Sequence, residues 1–315
     1  MCLVSSPLLT VIASQGLGFL SFSGDAKVQL TSKWSPPPAP TASLLSIASR
    51  KGLVAAAGPD AVHVATTESV RKAFRAEKSG DSEVRPFNPE AKLPLPLRIS
   101  QLAFTADEQY LVLSAETGGG LRAYDVNSLT QGNTQSAFEL ATNGETLRQL
   151  APNPMPESAA FCAIVTTNGN LYMANLAERT LVSGPNGPTL RSQVSCAAWS
   201  TKGKQLVAGM ADGSIYQMTP DGTEKAHIPK PPNLGDYHVS SVVWLENNVF
   251  LTIHNPTNST NPDDKTVYHV ITRQQSSGSS PSFTFQKLND PVEPFVTDKT
   301  PHHTVLRLKD FPPNL

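Results

Sequence analysis

The chain has 315 residues, 39% of them hydrophobic, with a formal charge of −1 at pH 7. That near-neutral balance excludes a tail that grips nucleic acid by bulk positive charge, and the apolar share is that of a folded core. The 27 Pro and 20 Gly fall between short apolar runs, which is the pattern of many strands joined by turns and predicts an all-β fold.

Cys2, Cys162 and Cys196 are an odd number without CxxC spacing, so a reducing compartment is expected. Residues 1–20 lack a basic leader and are broken by Ser5-Ser6-Pro7 and Ser14-Gln15-Gly16, so neither a signal peptide nor a membrane span is expected. Without such a leader, the sequon Asn258-Ser259-Thr260 reads as a polar loop.

In chain order, Leu8 to Ala13, Leu17 to Phe22 and Ala26 to Leu30 predict three strands separated by Ser14-Gln15-Gly16 and Ser23-Gly24-Asp25. Pro36 to Pro40 predicts a connector, because proline cannot donate to a ladder. A second unit follows at Leu44 to Ala48, Leu53 to Ala57 and Ala61 to Ala65. Residues 67–78 then predict a short helix, with Thr67 as cap and Val70 and Phe74 on one face. Its basic residues suit an acidic partner or simply a solvated helix bridging two blades; the second reading is adopted. The run Pro86 to Pro96 closes this insertion.

Ile99 to Phe104, Tyr110 to Ser114, Leu121 to Val126 and Phe138 to Leu140 make a third unit. Gly118-Gly119-Gly120 precedes a strand and lacks a following Lys-Ser/Thr, so it reads as a hairpin tip and not a phosphate loop. Leu147 to Ala151, Ala159 to Thr166 and Leu171 to Leu176 form the next unit, with Asn168-Gly169 as a strong hairpin turn.

The stretch from Val194 to Met218 is the clearest: three strands with turns at Thr201-Lys202-Gly203 and Ala211-Asp212-Gly213, and a fourth strand from Thr223 to Ile228 after Asp221-Gly222. The last full unit takes Val239 to Leu245, Val249 to His254, Thr266 to Thr272 and Phe283 to Phe285; a stub at 304–308 starts one more.

Residues closing successive first strands are Ile47, Phe104, Leu150, Trp199 and Trp244, at separations of 57, 46, 49 and 45. Periods near 45 with four strands predict a β-propeller with degenerate WD40-like repeats, since such a sheet cannot bury both faces alone. The expectation is one propeller domain over residues 1–315, seven-bladed with the last blade unfinished, in units near 8–30, 44–66, 98–140, 147–183, 194–228, 239–286 and 304–308. Tyr124-Asp125 stands where a Trp-Asp pair would, and no Gly-His opens any blade.

Catalytic templates fail: there is no HExxH, GxxxxGK, Gly-x-Ser-x-Gly or Ser-x-Asp-x-Gly. His254, Asp263, Asp264 and His269 are the best metal set but lack ligand spacing on a rigid element, so no metal or other cofactor is expected. His302-His303 would point to opposite faces if extended, and His63 reads as a strand residue on a half-exposed face. A propeller without a catalytic template is by default a binding platform. A hydrolase reading would need a carboxylate cluster in the central channel. Asp290, Val292, Glu293, Phe295 and Asp298 share one Pro-punctuated loop whose acids and apolar anchors suit a basic protein surface, against the plainer reading of a solvated connector.

Gln15-Gly16-Leu17-Gly18-Phe19, residues 51–58, Thr67-Glu68-Ser69-Val70-Arg71 and Trp244-Leu245-Glu246-Asn247 resemble the N-terminal propellers of cytoplasmic-face FG nucleoporins of filamentous fungi. The resemblance spans most of the chain. It implies a non-catalytic, seven-bladed scaffold at the nuclear pore that docks the mRNA-export DEAD-box helicase through acidic and apolar loops in competition with RNA. Other nucleoporins are implied as further partners, with no direct nucleic-acid or membrane contact. No helicase-contact motif matches residue by residue, and Phe-Gly repeats are expected only beyond this segment. The alternative is a generic WD-like adaptor in another assembly.

Overall fold

The computed structural model describes residues 3–14, 17–30, 44–59, 61–76, 85–86, 91–94, 98–115, 118–246, 248–258, 266–274 and 281–288. Among them the chain is all-β, with five four-stranded sheets, one three-stranded sheet and two short helices. Contacts divide it into two compact units, the first reaching Phe104 and taking Glu108–Gly144, the second taking Thr105–Asp107 and the chain from Glu145 onward.

The first unit opens with β1 (Leu3–Ser14) and β2 (Leu17–Gln29), one long antiparallel hairpin. The three strands expected here are therefore two. Ser23-Gly24-Asp25 is no turn: Gly24 faces Pro7, Ala26 faces Ser6, and Asp25 is the extra residue of a bulge. A bulge absorbs one residue while the strand continues, so it carries the same Gly-Asp signature as a turn.

β3 (Leu45–Ala48), β4 (Leu53–Ala57) and β5 (Ala61–Thr66) pair in sequence, and α1 (Thr67–Ala76) follows at once. The cap is Thr66, not Thr67: its Oγ1 accepts the Ser69 N–H at 3.1 Å. A cap needs extended backbone, and the last strand residue already has it. Val70 is buried with Leu30, Val54, Ala56 and Ala65, while Arg71 and Lys72 face solvent.

After the helix, β6 (Arg85–Pro86) runs parallel to the end of β2, and β7 (Ala91–Pro94) pairs with β5. The helix thus lies between the third and fourth strands of one sheet and does not bridge two. Pro94 concealed that fourth strand from sequence reading, yet proline is tolerated there because β7 is an edge.

β8 (Ile99–Phe104), β9 (Tyr110–Ala115), β10 (Leu121–Asp125) and β11 (Phe138–Leu140) form the third sheet. Val126 does not end a strand but begins α2 (Val126–Thr130), because Asp125 Oδ1 accepts the Ser128 N–H at 2.7 Å. The sheet of β3, β4, β5 and β7 and the sheet β8–β11 share a core that includes Leu53, Val62, Ile99, Leu113 and Tyr124. Two polar links pin them. Ser46 Oγ accepts the Phe104 N–H at 2.9 Å, and the buried Glu108 carboxylate accepts the Arg50 and Lys51 N–H groups at 3.0 and 2.7 Å. Ile47, expected as the closing residue of β3, is 57% exposed; Ala48, fully buried opposite Leu53, matches Phe104 opposite Leu111. A one-residue slip along a strand reverses the face.

The second unit holds three consecutive meanders. β12 (Leu147–Pro152), β13 (Phe161–Thr166), β14 (Leu171–Asn175) and β15 (Thr180–Leu181) make the first. β16 (Val194–Trp199), β17 (Leu206–Met210), β18 (Ile215–Met218) and β19 (Glu224–Ile228) make the second. β20 (Tyr237–Glu246), β21 (Val249–Pro256), β22 (Val267–Gln274) and β23 (Ser282–Lys287) make the third. β13 starts two residues later than Ala159 because Pro156–Ser158 winds into a 3-10 turn.

First strands of neighbouring sheets are tied by side chains. Gln149 exchanges two hydrogen bonds with the Ala197 backbone at 2.8 and 2.9 Å, Trp199 Nε1 donates to the Ala151 carbonyl at 2.8 Å, and Ser195 Oγ donates to the Val239 carbonyl. Gly203 and Gly209 are among the glycines required by contact. A Cβ on Gly203, at φ +62°, would lie 2.1 Å from Asn153 Oδ1, and one on Gly209 would lie 2.6 Å from both Cys196 Sγ and Val239 Cγ1. Leu206, Ile215 and Phe250 are essentially fully buried, each contributing about 1.5–3 kcal/mol of hydrophobic stabilisation.

Candidate partner-binding surface

The residues singled out for partner contact, Asp290, Val292, Glu293, Phe295 and Asp298, lie outside the described residues, as do Asp263, Asp264, His302, His303 and the stub at 304–308. The root of the first loop is described. Leu288 is 38% exposed and its N–H donates to the Tyr268 carbonyl at 3.0 Å, so the loop springs from edge strand β23.

Candidate chemical groups are taken up by the scaffold. His254 and His269 do meet, edge to face with ring centroids 5.3 Å apart, and both are buried. Among the described residues, His269 Nδ1 makes no hydrogen bond. Burial, reinforced by His269, pushes the His254 pKa down to about 3, and burial lowers that of His269 too, so both rings are neutral at pH 7. Among the described residues no group of three or more His, Cys, Asp or Glu could hold a metal ion.

His63 does not sit on a half-exposed face. It is 8% exposed, and its Nδ1 lies 2.8 Å from the Leu30 carbonyl, an acceptor that calls for the Nδ1–H tautomer. Sequence alternation placed His63 on the outer face without knowing that Leu30 covers it. Cys162 and Cys196 are buried, and desolvation raises both thiols, Cys196 to about 12, so neither forms a thiolate nucleophile at neutral pH. Gly118, Gly119 and Gly120 all have positive φ, and the Gly120 N–H is taken by Thr142 Oγ1 at 2.8 Å. Asp125 of the Tyr-Asp pair is spent on the α2 cap.

What sequence reading missed lies where the sheets β12–β15 and β16–β19 meet. β15 is only two residues long, too short to read as a strand, yet it walls a groove of about 520 Å³. Phe161, Leu181 and Val182 make its apolar floor and Pro220 one wall; Glu178 and Asp221 stand exposed at its rim. Asp221 is held in place: its Oδ1 accepts Thr219 Oγ1 at 2.5 Å and the Thr223 N–H at 3.0 Å, which lowers its pKa and keeps it ionised. On the same pair of sheets, Arg191 lies 3.0 Å over the Tyr216 ring, Tyr216 stacks on His227 at 4.4 Å, and Arg191 also reaches Glu224 at 3.1 Å. Arg191 thereby fastens the 182–193 connector to β18 and β19.

A family model for the NUP159/214 β-propeller matches residues 38–315. The chain belongs to the NUP159/214 β-propeller family. It is 96% identical over 307 residues to Nucleoporin NUP159 of Chaetomium thermophilum, covering 98% of this chain and 21% of that protein. It is 26% identical over 312 residues to nup146 of Schizosaccharomyces pombe, covering 96% of this chain and 23% of that protein. Over 255 residues it is 26% identical to human Nup214, covering 75% of this chain and 12% of that protein. The chain thus spans less than a quarter of the length of these NUP159/214 relatives.

Among solved structures it is similar to the N-terminal domain of Nup159, with a TM-score of 0.60 at 18% identity, covering 82% of this chain and 64% of that one. It is equally similar, at a TM-score of 0.60 and 18% identity, to a chain in the structure of S. cerevisiae dbp5 bound to nup159, gle1, IP6 and ADP, covering 83% of this chain and 64% of that chain. These likenesses show the β-propeller fold. Membership of the NUP159/214 family decides between the nucleoporin reading and the generic WD-like adaptor.

Proposed function

We propose that this NUP159/214 propeller is a non-catalytic docking scaffold at the cytoplasmic face of the nuclear pore, holding the mRNA-export DEAD-box helicase in competition with RNA and working beside other nucleoporins. The observation that carries the reading is the family match across residues 38–315. The neighbouring structure of dbp5 bound to nup159 and gle1 supports it. The chemistry agrees: both buried thiols are held protonated, the buried imidazoles are neutral, and the near-zero net charge suits a protein partner better than a nucleic-acid backbone.

The contact loop in this proposal contains Asp290, Glu293 and Asp298, which meet a basic helicase surface, and Val292 and Phe295, which anchor it. The test is size-exclusion chromatography of the 315-residue chain with the purified helicase. A complex is expected that weakens when RNA and ATP are added. Asp290→Lys, Glu293→Lys and Asp298→Lys together should lower affinity by at least about tenfold, mostly through faster dissociation. Absence of a complex would overturn the function; a complex indifferent to the charge reversal would overturn the assignment of the loop.

A further inference from the structure

The groove beside β15 is built unlike a mere gap between sheets. Its floor is rigid, because Phe161 and Val182 pack against the buried cluster that holds Met173, Leu206 and Met218. Its volume of about 520 Å³ accommodates a large apolar side chain with backbone on either side. It also borders an open strand edge. Among the described residues β15 pairs only with β14, with Thr180 opposite Asn175 and Leu181 opposite Ala174, and the Val182 N–H donates to the Met173 carbonyl at 2.8 Å. Hydrogen-bonding direction alternates along an antiparallel strand, so Leu181 turns its own N–H and C=O away from β14. The chain then folds back through the Gly184–Gly187 bridge, which leaves a short edge centred on Leu181.

The rim decides the chemistry of the occupant. The titratable side chains lining the groove are Glu178 and Asp221, both acids and both exposed. Arg179, between Glu178 and Thr180 in sequence, has a left-handed backbone at φ +56° and is not one of the residues lining the groove. An acidic segment would meet like charge at both acids, whereas a basic one is complementary at both.

We propose that this groove is a docking site for a short extended segment of another protein, one large apolar side chain flanked by Lys or Arg. The apolar side chain fills the space over Phe161, Leu181 and Val182, the flanking cations meet Glu178 and Asp221, and the segment's backbone adds to the Leu181 edge. The site is separate from the loop rooted at Leu288, which belongs to the sheet β20–β23.

The experiment uses the 315-residue chain and two fluorescein-labelled peptides, one with a central Phe between Lys-Arg pairs and one with the same Phe between Glu pairs, read by fluorescence anisotropy. The basic peptide should bind in the micromolar range and the acidic one should not. Glu178→Lys, at an exposed site, should weaken binding at unchanged melting temperature, and adding Asp221→Lys should bring the loss to at least about tenfold with a small fall in melting temperature, because Asp221 also closes its turn through Thr219 and Thr223. Leu181→Pro, which removes the outward N–H at an edge where proline is tolerated, should weaken it further without unfolding the chain. Equal binding of both peptides, no binding of either, or binding unmoved by the charge reversal would overturn the proposal. So would light scattering that shows the chain occupying the groove of a second copy. Helicase binding should survive the Glu178→Lys and Asp221→Lys changes; its loss alongside peptide binding would overturn the separateness of the two sites.

Discussion

The sheets β16–β19 and β20–β23 are the same four-stranded meander, one after the other, yet they are limited by different physics. In β16–β19 the interior is mostly apolar and tight, with Ser195 and Gln217 the buried polar side chains of its strands. Val207, Ile215 and Ile228 are buried, Gly209 lets Cys196 and Val239 close in, and Asp212 and Asp221 tie off the turns with their own carboxylates. In β20–β23 the strands are longer and the interior is mixed, with His254, His269, Thr252 and Asn255 buried beside Trp244 and Phe250, and Thr266 Oγ1 donating to Asn255 Oδ1 at 2.8 Å. One sheet is therefore sensitive to volume and the other to proton activity.

The largest expected effect tests the volume side. Gly209→Val adds atoms where a Cβ alone would meet Cys196 Sγ and Val239 Cγ1 at 2.6 Å, both on packed strands that cannot swing aside. It should cost about 3 kcal/mol in urea unfolding, at the upper end for overpacking. A loss near zero would show that β17 and β20 are not held at this spacing.

The intermediate effect tests the polar side. The folded His254 pKa is lowered to about 3 from 6.5, so the native state excludes a proton that the unfolded chain takes up. The contribution is fully present above pH 6.5 and is lost as pH falls from 6.5 toward 3, by about 1.4 kcal/mol per unit, or about 2 kcal/mol at pH 5. His269 and His238 shift in the same direction and add to the slope. Unfolding curves at stepped pH measure it, and His254→Gln should flatten the slope; an unchanged slope in that variant would place the titration elsewhere.

The smallest effect returns to β16–β19. Asp212 Oδ1 accepts the Ser214 N–H at 2.9 Å and the Ser214 hydroxyl at 2.6 Å, closing the β17–β18 turn. Asp212→Ala should cost about 1 kcal/mol, the ordinary net value of such bonds at a partly buried turn. Equal destabilisation by Asp212→Ala and Gly209→Val would contradict a sheet limited by packing.

Legibility in the sequence followed the same divide. β16–β19 was readable as four strands with their turns because those turns use Asp-Gly and Lys-Gly, whose backbone preference is local. β7 was not, because its place as fourth strand depends on a return past α1, and its proline reads as a breaker unless the strand is known to be an edge. The bulge at Asp25 and the slip from Ile47 to Ala48 failed for a related reason: pairing register belongs to two strands at once. The groove was invisible because its floor and rim come from strands and turns some sixty residues apart, linked by a two-residue strand with no periodicity of its own.

By itself the sequence determined the all-β class, the repeat near 45 residues, most of the hairpin turns and, through short motifs, the nucleoporin family. These are consequences of local backbone preference and alternating polarity. Only the tertiary structure decided which histidines are neutral, which aspartates serve as caps or turn closures, and which acids face an apolar groove. Each of those depends on the dielectric and on partners supplied by residues far away in the chain, and no local rule contains them.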